Sequence, residues 1–268
     1  MTRFERDTAV ARADDGGFDA RIDGGWWIVV GPNGGYLAAI VVRALEAALA
    51  DPTLTPRSLT VHYLEPAVAG PARVQVRVER SGRSLSTLSA RLEQNGRLIA
   101  LALAAFGRPR GSLEFQDLPM PEVAPPESLP ADPPATLKAP TLRERFETRR
   151  ALGSIEPGTS ARAVSGGWLR LSEPQLPDPP ALAMFCDAWP PAIRQRESLG
   201  ADGLRGVPTI DLTVHFRAPL PAHAHPDDFY LCVFRTQTAR GGFLEEDGEI
   251  WTRDGVLLAQ SRQLALLI

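Results

Sequence analysis

Apolar residues along this chain follow two kinds of spacing, and the succession occurs twice. In "GPNGGYLAAIVVRALEAALADP", from Gly31, they form a nearly continuous run, opened by Asn33 and stopped at Asp51-Pro52. That run predicts a buried helix capped by Asn33, with Gly34 and Gly35 in its first turn. Downstream the spacing changes to alternation. "RSLTVHYLEP" from Arg57 and "ARVQVRVERSG" from Ala72 read as strands, and "SLSTLSARLEQNGRLIALALAAF" from Ser84 reads as a hairpin turning at Asn95-Gly96. From Asp178 the order repeats: a helix, the strands "PTIDLTVHFRAP" and "FYLCVFRTQ", then a hairpin turning at Asp254-Gly255. In each half a short strand ending at Gly-Gly-Trp precedes the helix.

The residues repeat as well as the elements. "LTVHYLEP" at Leu59 returns as "LTVHFRAP" at Leu212, an offset of 153 positions. "DGGWWIVV" at Asp23 matches "SGGWLRL" at Ser165 at an offset of 142, and "NGRLIALAL" at Asn95 matches "DGVLLAQSR" at Asp254 at 159. Three blocks in one order, with drifting offsets, describe two related units whose loops differ in length. Two copies are too few, and too long, for a solenoid. Between them runs "GRPRGSLEFQDLPMPEVAPPESLPADPPATLKAP", whose prolines forbid a continuous helix or a central strand. The expected organisation is residues 1–107, a proline-rich linker 108–140 long enough to cross one face, and residues 141–268. Each copy is an α+β unit. Alone it would leave its helix partly uncovered and a sheet edge unpaired.

Composition narrows the class. Hydrophobic residues are 44% of the 268 and charged ones 23%, the balance of a globular chain with ample core. A net charge of -3 gives no electrostatic reason to expect nucleic acid or an acidic membrane surface as partner. Cys186 and Cys232 sit inside apolar runs and read as buried thiols of a reducing compartment. The polar N-terminus does not resemble a signal peptide, and no apolar run is long enough to span a bilayer, so a cytoplasmic protein is expected. Exposed strand edges leave room for a homo-oligomer.

Helix, sheet and duplication together resemble the hot-dog fold, and the tandem version resembles the double hot-dog acyl-CoA thioesterase II family. The expected architecture is therefore a tandem double hot-dog, two long helices each wrapped by antiparallel sheet. The resemblance runs from about Gly24 to the C-terminus and is most specific in "FCDAWPPAIRQ", "PTIDLTVHFRAP" and "DGVLLAQSRQLAL". In the family these segments carry an aspartate, a threonine and a glutamine that hold and activate a water. Here the resemblance implies Asp187, Thr209 and Gln263 as catalytic residues, an acyl-CoA substrate, and neither cofactor nor metal. After "TID" the chain departs from the family's aromatic-rich stretch, which bears on acyl selectivity.

The residues themselves can be weighed beside that resemblance. Asp187 lies in the largely apolar "ALAMFCDAWPP", where desolvation strengthens a carboxylate as a base. Alternatively it bonds backbone groups freed by Pro190 and Pro191. Gln263 orients a water or a carbonyl, or else is an outward strand residue. Repeat alignment pairs Gln263 with Ala104 and Thr209 with Pro56, so both polar groups belong to the second copy only. His62 and His215 belong to both copies, which favours a core or interface role. "PAHAHPDD" reads as a solvated turn rather than a metal site. Gly34-Gly35 would let a substrate approach backbone donors for an oxyanion. Two other functions use such a scaffold: an acyl-CoA hydratase or dehydratase drawing on His215, and a non-catalytic acyl-CoA or lipid-binding protein.

Overall fold

The computed structural model describes residues 1–29, 31–133, 141–199 and 204–268. The first half opens with helix α1 (Arg3–Asp7) and strands β1 (Val10–Arg12) and β2 (Phe18–Ile22). Helix α2 (Gly34–Leu49) forms where the apolar run predicts it. Asn33 caps it by accepting from Tyr36 N–H at 3.0 Å, and Ala50 in the left-handed region closes it. Strands β3 (Thr55–Tyr63), β4 (Gly70–Arg80), β5 (Leu85–Gln94) and β6 (Arg97–Gly107) follow. The β5–β6 hairpin turns on Asn95 and Gly96, both at positive φ, as a two-residue turn matched to strand twist requires.

The second half contains β7 (Phe146–Leu152), β8 (Ala163–Leu171), helix α3 (Pro179–Phe185), β9 (Thr209–Phe216), β10 (Tyr230–Thr236), the short β11 (Ala239–Arg240), β12 (Phe243–Trp251) and β13 (Leu257–Leu266). All strands belong to one antiparallel sheet in the order β1-β2-β4-β5-β6-β3-β9-β13-β12-β10-β8-β7, with β11 on β12. Read inward from either edge, the order is the same. The two halves therefore meet at equivalent strands, β3 and β9, and the repeated "LTVH" segments are the seam. Leu59 faces Val214, Thr60 faces Thr213 and Val61 faces Leu212. Thr60 and Thr213, equivalent at the 153-residue offset, face each other with hydroxyls 3.0 Å apart.

Alternation in these strands sorts their faces. Leu59, Val61, Leu212 and Val214 are buried on the inner face, against which α2 packs beside α3. His62 and His215 point to the opposite face and are exposed, so the shared histidines are neither core residues nor part of the interior. The linker covers the outer face of the second half: Met120, Val123 and Leu129 pack on a cluster containing Trp168, Leu231, Val233 and Trp251. Trp168 donates its indole N–H to the Ala124 carbonyl at 2.9 Å. The end of the linker, 134–140, lies outside the described residues.

Two expectations need correction. Helix α3 is not long: it spans seven residues against sixteen in α2. Pro179 and Pro180 fit its first turn, but beyond Cys186 the chain turns and then meets Pro190-Pro191, which cannot continue a helix. The Gly-Gly-Trp match is also not a structural equivalence. Gly24–Trp26 form a 3-10 turn after β2, with Trp26 stacked on Tyr36 in the core at 5.2 Å. Gly166 and Gly167 lie inside β8, where a Cβ would come within 2.1 Å of the Cys232 carbonyl oxygen or 2.2 Å of that of Arg149. The two glycine pairs answer different steric demands.

Because the seam carries both halves of the core, truncating either side should be costly. Leu59→Ala and Leu212→Ala are each expected to lower unfolding free energy by about 2–5 kcal/mol in urea titrations. Losses well under 1 kcal/mol would mean the seam is not tightly packed.

Candidate active site

Asp187 follows Cys186, the C-terminal cap of α3, and its carboxylate turns away from its own helix. Its Oδ2 accepts from Gly35 N–H at 2.9 Å and from Asn33 Nδ2 at 2.8 Å; Asn33 Nδ2 also donates to the Asp187 carbonyl at 2.7 Å. The second half thus delivers a carboxylate to the N-terminus of the first half's helix, where unpaired N–H groups and the helix dipole favour negative charge. The alternative reading placed the Asp187 carboxylate on backbone groups freed at its own helix end; it is instead the Asp187 N–H that bonds there, to the Met184 carbonyl at 3.1 Å, while the carboxylate serves Gly35, Asn33 and Gln263.

This approach requires the glycines. A Cβ on Gly35 would sit 2.8 Å from the Met184 carbonyl oxygen and 2.9 Å from Asp187 Cβ. On Gly34 it would sit 3.1 Å from both Asp187 Oδ2 and the Tyr63 hydroxyl. The expectation that these glycines leave the helix amides open to a substrate therefore changes: Gly35 N–H already serves Asp187.

Gln263 projects from the inner face of β13, opposite Leu212, and is 5% exposed. Its Nε2 lies 3.2 Å from Asp187 Oδ1, and its Oε1 accepts from the Thr209 hydroxyl at 2.7 Å. Thr209 fixes the amide's orientation: with Oε1 engaged, the NH2 must face Asp187. Thr209 reaches the inner face through a bulge. Asp211 faces Leu264, but Thr209 faces Ala265, so Ile210 is skipped. The first half has the same bulge at Arg57, between Pro56 and Ser58, so this aiming device belongs to the shared scaffold.

Structure and sequence thus bring Asp187, Thr209 and Gln263 into one hydrogen-bonded chain. The pairing of Gln263 with Ala104 is structural too, since Ala104 faces Leu59 as Gln263 faces Leu212. Sequence reasoning missed two neighbours. Asn33 was read as a cap, which accounts only for its Oδ1; its Nδ2 serves Asp187. Tyr63 donates its hydroxyl to the Gly34 carbonyl at 2.7 Å, and burial, then the charges of Asp187 and Asp211, push its pKa up. Its signal was the Tyr63/Phe216 exchange in the repeat, the one aromatic difference in "LTVH-aromatic".

Other groups stay outside the site's chemistry. Burial pushes the Cys186 thiol up to about 12 and raises Cys232 as well, so neither is a ready nucleophile. His223 pairs with Asp254 at 3.2 Å and His225 with Asp227 at 3.4 Å, both exposed. Among the described residues no three His, Cys, Asp or Glu side chains are grouped to hold a metal ion, and no helix is long and apolar enough to cross a membrane.

Burial raises the Asp187 carboxyl above the usual carboxylate range, against the opposing pull of Gly35, Gln263, Gly34 and Asn33. A folded-state pKa above the unfolded one gives stability that is whole below the unfolded pKa and is lost as pH rises through the folded one. Thermal melts should therefore show wild type losing stability relative to Asp187→Asn as pH rises from below about 4, the unfolded aspartate value. A relative gain over that range would contradict the assignment.

Helices packed on one face of an antiparallel sheet, with the same strand order read inward from either edge, are the architecture of a hot-dog protein. Comparison with known proteins carries this further. The acyl-CoA thioesterase N-terminal domain model matches residues 23–107, and the acyl-CoA thioesterase C-terminal domain model matches residues 121–267. The chain belongs to the acyl-CoA thioesterase family. No match was found among the curated proteins. Among solved structures it is similar to a conserved hot-dog protein of unknown function from Alicyclobacillus acidocaldarius, at 27% identity and a TM-score of 0.86 over 100% of this chain and 98% of that one. It is similar at 28% identity, with the same TM-score and coverage, to a Thermobifida fusca protein provisionally assigned as a thioesterase II. An acyl-CoA thioesterase II from Mycobacterium marinum shares the fold at 22% identity, with a TM-score of 0.79 over 100% and 97% of the two chains.

Proposed function

We propose that this protein is a tandem double hot-dog enzyme that hydrolyses fatty acyl-CoA thioesters, with Asp187 as the base that activates water. The observation carrying this reading is the chain Thr209 to Gln263 to Asp187, ending at the N-terminus of α2. The two carboxylate oxygens differ. Oδ2 is held by Gly35 and Asn33, while the contact to Oδ1 is the longer one, from Gln263. Oδ1 is the oxygen that takes a proton from water. Gln263 holds that water in line, and Thr209 keeps the amide turned the right way. The water oxygen bonds to the thioester carbonyl carbon, the carbon–sulfur bond then breaks, and the proton on Asp187 passes to the departing thiolate. The products are a free acid and CoA, without a covalent enzyme intermediate.

The hydratase reading needs a histidine beside the aspartate. His215 is exposed on the outer face of β9, whereas Gln263 and Leu212 face inward, so that reading loses its histidine. A pure acyl-CoA binder has no use for an oriented Gln263.

Release of free thiol from a panel of acyl-CoAs tests the reading. Asp187→Asn should lower kcat by about 10²–10⁴-fold, and Gln263→Ala by roughly tenfold or more, both with folding intact. His215→Ala should turn over normally. If Asp187→Asn retains full turnover, Asp187 is not the base.

A further inference from the structure

Glu246 lies in β12 directly opposite Gln263, and only 6% of it is exposed. Cross-strand partners share a sheet face, so a second carboxyl faces inward beside the residue that contacts Asp187. Its counterpart in the first half is Leu88, which faces Ala104 as Glu246 faces Gln263. Like Asp187, Thr209 and Gln263, this polar group is confined to the second copy. A buried carboxyl where an aliphatic side chain serves equally well for packing calls for a reason.

The reason lies in the segment after Asp187. Glu246 Oε2 accepts from Ala192 N–H at 2.5 Å. Ala192 opens the 3-10 turn Ala192–Gln195, immediately after Pro190-Pro191. Those prolines have no N–H to give, so Ala192 offers the first donor beyond them. The stretch from Asp187 to Ala192 is thus fastened at both ends to the same pair of strands: through Gln263 on β13 and through Glu246 on β12.

We propose that Glu246 is a positioning residue: it pins the turn bearing Asp187 against the strands beside Gln263. This rests on the reading of Asp187 as base. The charged groups acting on Glu246 are all acidic: Asp187 from the turn after α3, and Asp247 and Glu245 along its own strand. Burial first, then these charges, push it up to about 8 against the Ala192 N–H. At neutral pH it therefore keeps its proton and adds no negative charge beside Asp187. When it ionises, it places a negative charge on the inner face beside Gln263, which opposes further negative charge building up there during the reaction.

The test compares pH profiles of kcat for wild type, Glu246→Gln and Glu246→Leu. Wild type should be about tenfold slower at pH 9 than at pH 7, as expected for one ionisation with a midpoint near 8. Glu246→Gln, which keeps an acceptor for Ala192 but cannot ionise, should hold most of the neutral rate and lose the alkaline fall. Glu246→Leu should be about tenfold slower at every pH with KM little changed, the mark of misplaced catalytic groups. An equal alkaline fall in Glu246→Gln, or a fully active Glu246→Leu, overturns the proposal; if the leucine variant does not fold, the glutamine profile decides alone. Thermal melts give a readout independent of turnover: wild type should lose stability relative to Glu246→Gln as pH rises from about 5 through 8. No melting difference overturns the assignment whether or not the protein is active. No turnover by wild type overturns the reaction and this role together, and a melting difference then locates the failure in the reaction rather than in the burial of Glu246.

Discussion

The carboxylate of Asp187 and the N-terminus of α2 each need what the other supplies. The helix begins with N–H groups that have no partner within it, and the carboxylate, drawn partly out of water, needs donors. They come from different halves, so meeting this need fixes how the halves sit. It also dictates glycine at position 35, where any side chain would displace Asp187 or the end of α3, and leaves little room for one at position 34. The seam between β3 and β9 makes the meeting possible, because it places the inner faces of both halves in one continuous sheet beneath both helices.

A duplicated scaffold offers that junction twice, once on each side of Thr60 and Thr213, and the two are filled differently: at the second, Arg43 of α2 pairs with Asp178, the cap of α3, at 2.6 Å. The second copy supplies Asp187, Thr209, Gln263 and Glu246; where their strand equivalents fall, the first copy has Pro56, Ala104 and Leu88. The exchange runs the other way for the aromatic pair: Tyr63 has a hydroxyl for the α2 N-terminus, while Phe216 has none. On the strands, the first copy places apolar side chains at the positions where the second carries the polar groups of the site. The shared bulge at Arg57 and Ile210 shows the limit of this divergence: backbone geometry is kept in both copies, and only one uses it to aim a hydroxyl.

Much of this could be read from the residues. Alternation and the Asn95-Gly96 turn located strands and hairpins; the resemblance to the acyl-CoA thioesterase II family named Gln263 and Thr209, and the copy-to-copy comparison set both apart as polar groups of the second copy. The length of α3 was not legible, because the apolar run through Phe185 and Cys186 continues past the point where the chain turns. The Gly-Gly-Trp match misled, since two unrelated demands, a tight turn and close strand backbones, select the same residues. Asn33, Tyr63 and Glu246 escaped notice because their partners, Asp187, Gly34 and Ala192, lie far away in sequence or across a proline pair. Local pattern carries the elements; contacts across the junction complete the site.

The central claim is that one junction works and its mirror does not. Calorimetric titration with a non-hydrolysable thioether analogue of an acyl-CoA tests it by counting. The account predicts one binding site per chain, weakened by changes at Asn33 or Gln263 and indifferent to Ala104. Two equivalent sites per chain would contradict it.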